Sequence, residues 1–101
     1  MENCFLALKV TFCNEFALIA EHFNISYEQL REIFVMDPRM GDSHTFVLSD
    51  SPYYDSHCLN KDIPALINMS DGLAELMSAT KAINDKRKIQ YLTKNAKEHR
   101  K

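Results

Sequence analysis

Glycine and proline are scarce in this 101-residue chain. It contains two glycines and three prolines, where average usage of roughly 7% and 5% would give about seven and five. Small β-sandwiches and barrels need a turn signal about every 8–12 residues, so this scarcity disfavours them and favours long regular elements. Gly41 and Gly72 also cannot form a glycine-rich phosphate loop such as G-x-G-x-x-G.

Strong charge, paired cysteines and a leader pattern are lacking as well. The net charge of −2 provides no basic field for nucleic acid over the whole domain. Three widely spaced cysteines without a C-x-x-C motif argue against a disulfide framework and predict a reducing compartment. No apolar run approaches a membrane span, and Met1-Glu2-Asn3 has no positive signal-peptide region. We therefore expect a cytoplasmic protein without membrane contact.

Apolar residues recur at helical spacing through the first quarter of the chain. They form two adjacent stripes: Phe5, Leu8, Phe12, Phe16, Ile19 and Phe23, and Leu6, Val10, Cys13, Ala17 and Ala20. Together the stripes cover more than half of a helix circumference, which predicts a long central helix over residues 3–23 with its phenylalanines in the core. Cys4 and Cys13 are also expected in the core. Lys9 falls inside the apolar arc and needs to snorkel or to meet an acidic partner.

Shorter helices are predicted for the rest of the chain. Ser26 and Gln29 form a capping box for the second helix, and Asp37-Pro38 ends it. The third is predicted to begin near Asp62, with Pro64 in its first turn. These elements make the predicted fold class all-α.

The last helix and the segment ahead of the third complete the pattern. A break at residues 68–72 predicts Ser70 or Asp71 as the N-cap of a final helix that continues through Ile89 and Leu92. Residues 37–58 show no helical period. A segment of this length without regular structure is uncommon in a compact domain and usually functional.

Cys58 is the residue that its local sequence marks for chemistry. A helix N-terminus favours a thiolate, and Lys61 lies nearby. Asp62 is one helical turn further on, within reach as a general base or positioning group. The alternative is a small buried thiol followed by an N-capping Asp62. Arg39, in a loop, fits either an anion contact or an exposed ion pair.

Basic residues gather at the end of the chain. Residues 86–101 carry seven lysines and arginines against Glu98 alone. Cations are favoured near a helix C-terminus, so we interpret this stretch as a solvated helix end, and nucleic acid is an unlikely partner. The four histidines show no ligand spacing, and no metal is expected.

Four short motifs follow one another in a consistent order. Residues 3–15 are similar to N-x-F-L-A-x-K-[IV]-x-F-x-N-E, and residues 37–41 to D-x-R-[IM]-G. Residues 58–62 resemble C-[FL]-P-K-D, with Asn60 in place of proline, and residues 83–87 resemble V-N-[DE]-x-[QR]. In this order the motifs resemble the central domain of the UDP-glucose/GDP-mannose 6-dehydrogenase family.

The resemblance implies a domain organisation and a reaction. The central domain would occupy residues 1–88, followed by a basic helical extension or tail at 89–101. It would be all-helical, similar to the C-terminal dimerisation domain of 6-phosphogluconate dehydrogenase, and would form a homodimer through its long helix. Family members oxidise the C6 hydroxymethyl group of a nucleotide sugar to a carboxylate in two NAD-dependent steps.

The resemblance also implies roles for single residues. Cys58 would form a thiohemiacetal and then a thioester, Asp62 would handle the water that hydrolyses the thioester, and Asn3 would stabilise the oxyanion. Arg39 would reach the substrate of the neighbouring subunit. Lys61 and Tyr54 would also bind substrate.

Several family features are missing from this sequence. The family's two Rossmann-type domains do not fit in 101 residues, so no NAD is expected on this chain alone. The family's catalytic lysine, four residues before the asparagine, has no counterpart. The family's G-[FY]-G-G-x-C is here Tyr53-Tyr54-Asp55-Ser56-His57-Cys58, and glycine there permits positive φ and close approach of backbone to the sugar.

Two interpretations therefore stay open. The chain is the central domain of an NAD-dependent nucleotide-sugar 6-dehydrogenase, inactive by itself, or it is a non-catalytic helical homodimerisation module or remnant of that family.

Overall fold

Four helices make up the regular structure. The computed structural model describes residues 1–49 and 51–99, with side chains through residue 96. The helices are α1 (Glu2–His22), α2 (Tyr27–Val35), α3 (His57–Met69) and α4 (Glu75–His99). The described residues contain no β-strand. The all-α prediction is confirmed.

The first helix holds the other three together. α1 contacts α2, α3 and α4, and α3 also packs on α4. The face of α1 that is buried carries mostly small side chains, namely Ala7, Thr11, Cys13, Asn14 and Ala20. Small residues let neighbouring helices approach closely, so α1 takes the central position that its sequence predicts.

The phenylalanines of α1, and Phe23 directly after it, are not buried by this chain. Phe5 and Phe23 are 61% and 65% exposed, and Phe12 and Phe16 are also exposed, so their prediction as core residues is wrong for the single chain. The molecule is flat, with extents of 43 × 41 × 21 Å. A flat arrangement covers one side of α1 and leaves the other open.

The buried core is small and lies between α1 and α3. It consists of Ala7, Tyr54, Leu59 and Ile63, with Cys4 packed against its edge. Cys13 is buried separately, and Cys4 is half-buried. The predicted burial of the cysteines on α1 is therefore confirmed for Cys13 and partial for Cys4.

The link between α1 and α2 follows its sequence signals. Asn24 adopts the left-handed conformation, with φ 56°, which suits asparagine just after a helix end. The Ser26 side chain accepts a hydrogen bond from the Gln29 backbone N–H (3.4 Å). This bond confirms Ser26 as the N-cap of α2.

The third helix begins earlier than predicted. Ser56 is its N-cap and accepts a hydrogen bond from the Leu59 backbone N–H (3.2 Å). Cys58 therefore lies within the first turn of α3, and Pro64 lies inside the helix instead of near its start. Ser56 caps the helix about one and a half turns before the start that the preference of proline for a first turn predicts.

The fourth helix also begins at another residue than predicted. Ser70 is the C-cap of α3, and Asp71 has a positive φ of 48°. Neither residue caps α4, which begins at Glu75 and runs unbroken to His99. The predicted boundary at residue 88 lies within this helix, and Arg100 and Lys101 of the predicted basic tail lie outside the described residues.

The irregular segment between α2 and α3 is fixed to α2 through Thr45. The buried Thr45 hydroxyl donates to the Asp42 carbonyl (2.6 Å) and accepts from Arg31 Nε (2.7 Å). The Tyr27 hydroxyl donates to the Thr45 carbonyl (2.6 Å), and the Arg31 guanidinium lies 3.5 Å from the centre of the Phe46 ring. Burial raises the pKa of Tyr27, so its phenol remains a donor at neutral pH.

One helix is long and apolar enough to cross a membrane by length and composition. This helix is α1, so the prediction that no apolar run approaches that length is wrong by this criterion. The core helix of a soluble protein meets the same criterion. In the fold, α1 contacts all three other helices.

Candidate functional site

Asn3 and Asp62 meet where the first turn of α1 crosses α3. The Asn3 side-chain amide donates to Asp62 Oδ2 over 2.7 Å, although the two residues are 59 positions apart. Asp62 lies four residues after Cys58 on α3, and residues at this spacing share one helix face. The structure thus joins Asn3 to Asp62, and the helical spacing places Cys58 on the same face of α3 as Asp62.

Cys58 is exposed at the amino-terminal end of α3. The unpaired backbone N–H groups of a first helical turn carry partial positive charge. Lys61, one residue before Asp62, is also exposed.

Arg39 is paired within its own loop. Its guanidinium donates to both carboxylate oxygens of Asp37, with the shortest contact at 2.6 Å. These hydrogen bonds lower the pKa of Asp37. The Arg39 side chain is 80% exposed, so it faces solvent on this chain.

Lys9 anchors the loop that carries Arg39. Its ammonium donates to the carbonyls of Met40 (2.9 Å) and Gly41 (3.3 Å). The sequence predicts snorkelling or an acidic partner for Lys9, and the structure provides backbone carbonyls instead. Gly41 has a φ of +66°, a conformation that strains residues with a side chain.

Tyr54 is part of the core. It is 6% exposed and packs in the cluster of Ala7, Leu59 and Ile63. Burial raises the pKa of Tyr54. The ring that the motif comparison assigns to substrate is therefore enclosed by this chain's own residues.

Asn84 fixes the backbone of Tyr54 from both sides. Its side-chain oxygen accepts from the Tyr54 N–H (2.7 Å), and its side-chain nitrogen donates to the Tyr54 carbonyl (2.9 Å). Asn84 is buried. Asn84 belongs to the motif at residues 83–87, which assigns it no role. Its position in that motif is the one sequence feature that draws attention to it.

The three residues at the family's glycine positions each contact a helix. The Tyr53 ring lies 5.8 Å from the Tyr91 ring, centre to centre. Asp55 Oδ1 accepts from Lys88 Nζ (2.8 Å) and from the Asn60 amide (2.8 Å), and these bonds lower the pKa of Asp55. Ser56 caps α3. Tyr53 and Asp55 thus attach the loop before Cys58 to α4, and Ser56 caps α3.

No group of three or more His, Cys, Asp and Glu side chains gathers within the described part of the chain. The residues that the motifs mark here are a thiol, a carboxylate and an amide, namely Cys58, Asp62 and Asn3. These groups suit nucleophilic addition, proton transfer and oxyanion stabilisation.

Comparisons with known proteins identify a matching family. Residues 1–86 match the model of the UDP-glucose/GDP-mannose dehydrogenase family, central domain. A UDP-glucose 6-dehydrogenase of Rhizobium meliloti (strain 1021) is 34% identical over 89 residues, which cover 85% of this chain and 20% of the relative. The chain thus spans about one fifth of this relative's length. No solved structure matches the chain significantly.

Replacing Asn84 by alanine is expected to destabilise the fold. The change leaves the buried N–H and carbonyl of Tyr54 without partners, which costs about 1–3 kcal/mol for each buried group. Urea unfolding at fixed protein concentration measures the loss. Asn68→Ala, at an exposed position of α3, is the matched control and should change the unfolding free energy by less than about 0.5 kcal/mol. Equal effects of both changes would contradict a stabilising role for the two hydrogen bonds between Asn84 and the Tyr54 backbone.

Cys58 is expected to alkylate before the other two cysteines. It is exposed in the first turn of α3, whereas Cys13 is 3% exposed and Cys4 is half-buried. Timed iodoacetamide labelling of the folded chain, followed by peptide mass spectrometry, gives the order. Labelling of Cys13 at the rate of Cys58 would show that the helix packing described for α1 does not persist in solution.

Proposed function

The chain belongs to the UDP-glucose/GDP-mannose dehydrogenase family, and from this premise we propose that it is the central domain of an NAD-dependent nucleotide-sugar 6-dehydrogenase. The observation that carries the proposal is the hydrogen bond between Asn3 and Asp62 (2.7 Å) one helical turn from the exposed Cys58. A thiol, an acid–base group and an amide donor at one place are the parts that thioester chemistry at an aldehyde needs.

The first step assigned to this chain is addition of Cys58 to an aldehyde at C6 of the sugar. The sulfur forms a bond to the carbonyl carbon, and the electron pair of the C=O bond moves to oxygen. Asn3 uses one of its two amide hydrogens on Asp62, so the second remains for the oxygen that becomes negative.

The second step is hydrolysis of the thioester that follows oxidation. Asp62 accepts a proton from water, the water oxygen bonds to the carbonyl carbon, and the carbon–sulfur bond breaks to return the Cys58 thiolate. The contact from Asn3 holds the Asp62 carboxylate over this part of α3. An oriented carboxylate is more effective as a general base than a free one.

The residues of this chain do not fit NAD. Its two glycines lie in separate loops with positive φ values, and neither belongs to the glycine-rich turn between strand and helix that holds a dinucleotide. NAD, when bound to the whole enzyme, accepts hydride from the sugar carbon. In our proposal that site belongs to other parts of a longer enzyme.

Arg39 is proposed to serve the neighbouring subunit. Its side chain is 80% exposed, and Asp37 engages only Nε and Nη2. The remaining N–H groups of a guanidinium suit a phosphate or a sugar hydroxyl. Lys61, exposed beside Asp62, is proposed to attract the same anionic substrate.

A second candidate function is a non-catalytic dimerisation module. The observation that favours it is the loop of Tyr53, Asp55 and Ser56, whose side chains contact α4 or cap α3. Side chains at these positions fill the space through which glycine would let the backbone approach a sugar. In this interpretation the fold is retained and the site is closed.

Both candidate functions include a homodimer formed through α1. Its phenylalanines, with Ile33 of α2, leave large apolar side chains exposed on one side of a flat molecule. The Phe12 ring lies 4.7 Å from the Phe16 ring and 6.4 Å from the Phe34 ring, so an aromatic surface already exists. Burial of apolar surface contributes roughly 25 cal/mol per Å², and a second copy provides a matching surface.

Placing the chain in its longer relative separates the two candidate functions. The matching 89 residues of the Rhizobium meliloti enzyme are replaced by this chain, and NADH formation with UDP-glucose is measured. As a catalytic central domain the chain supports turnover, which Cys58→Ser reduces to background and Cys4→Ala leaves in place. The 101-residue chain alone should form no NADH.

Restoring the family's three glycines shows whether the loop before Cys58 prevents turnover. If the chimera turns over only with Tyr53→Gly, Asp55→Gly and Ser56→Gly together, the second candidate function is correct. A chimera that elutes as the parent enzyme does, yet is inactive with both loops, contradicts the assignment of Cys58.

The dimer is tested by introducing charge into the exposed aromatic face. Phe5→Glu with Phe23→Glu, at positions 61% and 65% exposed, should convert the dimer into a monomer without unfolding it, because a desolvated carboxylate in an apolar interface is costly. Sedimentation velocity over roughly 1–100 µM covers the relevant affinities. Ile89→Glu, on α4 and equally exposed, is the control and should remain dimeric. A wild-type monomer throughout this range would refute the dimer.

A further inference from the structure

The turn that carries Arg39 is closed by its own hydrogen bonds. The Met40 backbone N–H donates to the Asp37 carbonyl (3.0 Å), and the Arg39 backbone N–H donates to Asp37 Oδ1 (2.9 Å). The same carboxylate accepts from Nε and Nη2 of the Arg39 guanidinium. Because a forked contact of this kind fixes the plane of the guanidinium, Arg39 has a defined direction relative to the backbone of residues 37–41.

Lys9 attaches this turn to α1. Its ammonium donates to the carbonyls of Met40 (2.9 Å) and Gly41 (3.3 Å). Lys9 is half-buried, and it forms no ion pair within the described part of the chain. A partly desolvated ammonium needs such acceptors, and hydrogen bonds from a charged donor are stronger than neutral ones.

The whole segment 37–45 is attached to the same pair of helices. Among the described residues, every hydrogen bond between this segment and a helix goes to α1 or α2, and the donors besides Lys9 are Tyr27 and Arg31. α1 is the one described helix that α2 contacts. Arg39 is therefore fixed relative to α1, whereas Cys58 lies on α3.

We propose that Lys9 is a positioning residue for Arg39, because its ammonium fixes the turn at residues 37–41 to the helix through which the chain is proposed to dimerise. The inference rests on the proposed function of Arg39 and deepens it. It assigns to α1 both the contact between subunits and the placement of the arginine that serves the neighbouring subunit.

The expected benefit of this attachment is a lower cost of ordering. A long side chain on a mobile loop loses conformational freedom when it binds, and that loss weakens binding. A turn already fixed by Lys9 avoids part of the loss. The effect belongs to substrate binding and not to the thioester steps, so it is expected in KM and not in kcat.

The order of Arg39 is tested directly on the ¹⁵N-labelled 101-residue chain. ¹⁵N relaxation at the Arg39 backbone N–H and Nε–H reports order, with a backbone order parameter of about 0.85 for a rigid segment and below about 0.6 for a flexible one. Lys9→Met keeps the apolar stem and removes the donors, and it should move the Arg39 backbone from the first value to the second. Lys9→Arg retains charged donors and should restore the order.

Two further variants make the result specific. Lys81→Met is the matched control, because Lys81 is also half-buried but pairs with Asp85 within α4, and it should leave Arg39 ordered. Gly41→Ala strains the same turn from the loop side, since Gly41 has a φ of +66°. It should loosen Arg39 even if Lys9→Met does not retain its helices by circular dichroism.

A double-mutant cycle in the chimera with the Rhizobium meliloti enzyme tests the functional consequence. Lys9→Met should raise KM for UDP-glucose by about three- to tenfold, the cost of ordering one long side chain, and should leave kcat within about twofold. In an Arg39→Gln background the same change should leave KM unchanged, because a residue that acts through Arg39 has no effect without it.

Three outcomes would overturn the proposal. One is an Arg39 that stays ordered in Lys9→Met. Another is an equal loss of order in Lys81→Met, which would indicate general loosening of the helices. The third is an effect of Lys9→Met on KM that persists in full without Arg39. The relaxation measurement needs no turnover, so loss of Arg39 order in Lys9→Met together with an inactive chimera would support the positioning role and contradict the proposed function alone.

Discussion

Close packing along the small-residue face of α1 is the constraint on which the rest of this structure depends. α3 and α4 pack on α1. Within the described residues, α2 contacts α1 and no other helix. Alanine and cysteine in the contact let the helices approach. The same choice turns the phenylalanines away from the chain, so the feature that builds the monomer also produces its exposed apolar face.

Local signals in the sequence predicted the helices better than their exposure. The apolar period and the Ser26 cap defined α1 and α2 closely, because both depend on residues within one or two turns. Pro64 is typical of a first turn and therefore predicts too late a start for α3, whose N-cap is Ser56. An apolar stripe does not show whether its own chain or another covers it. For that reason the stripe predicts a core position for phenylalanines that this chain leaves exposed.

The candidate site, like the fold, can be predicted from the sequence only in part. The one-turn spacing of Cys58 and Asp62 follows from the sequence, but the contact from Asn3, 59 residues away, was accessible only through the family motif. The position of Lys9 in an apolar arc predicts that its ammonium needs a partner. That partner is the Met40 carbonyl, which lies in a loop 31 residues away and does not follow from the arc. The hydrogen bonds between Asn84 and the Tyr54 backbone and the Lys88–Asp55 ion pair are likewise long-range contacts between polar groups. No periodicity in the sequence predicts them.

The loop before Cys58 connects stability with function. Glycine at positions 53, 55 and 56 would increase the conformational freedom of the unfolded chain and remove a ring contact, an ion pair and a helix cap. The ion pair is half-exposed, and such pairs contribute little to stability. Glycine is also tolerated at an N-cap, so the lower freedom of the unfolded backbone carries most of the gain. The contact between Asn3 and Asp62 is present alongside these three side chains, so the substitutions in the loop and the polar contact between α1 and α3 coexist in one fold.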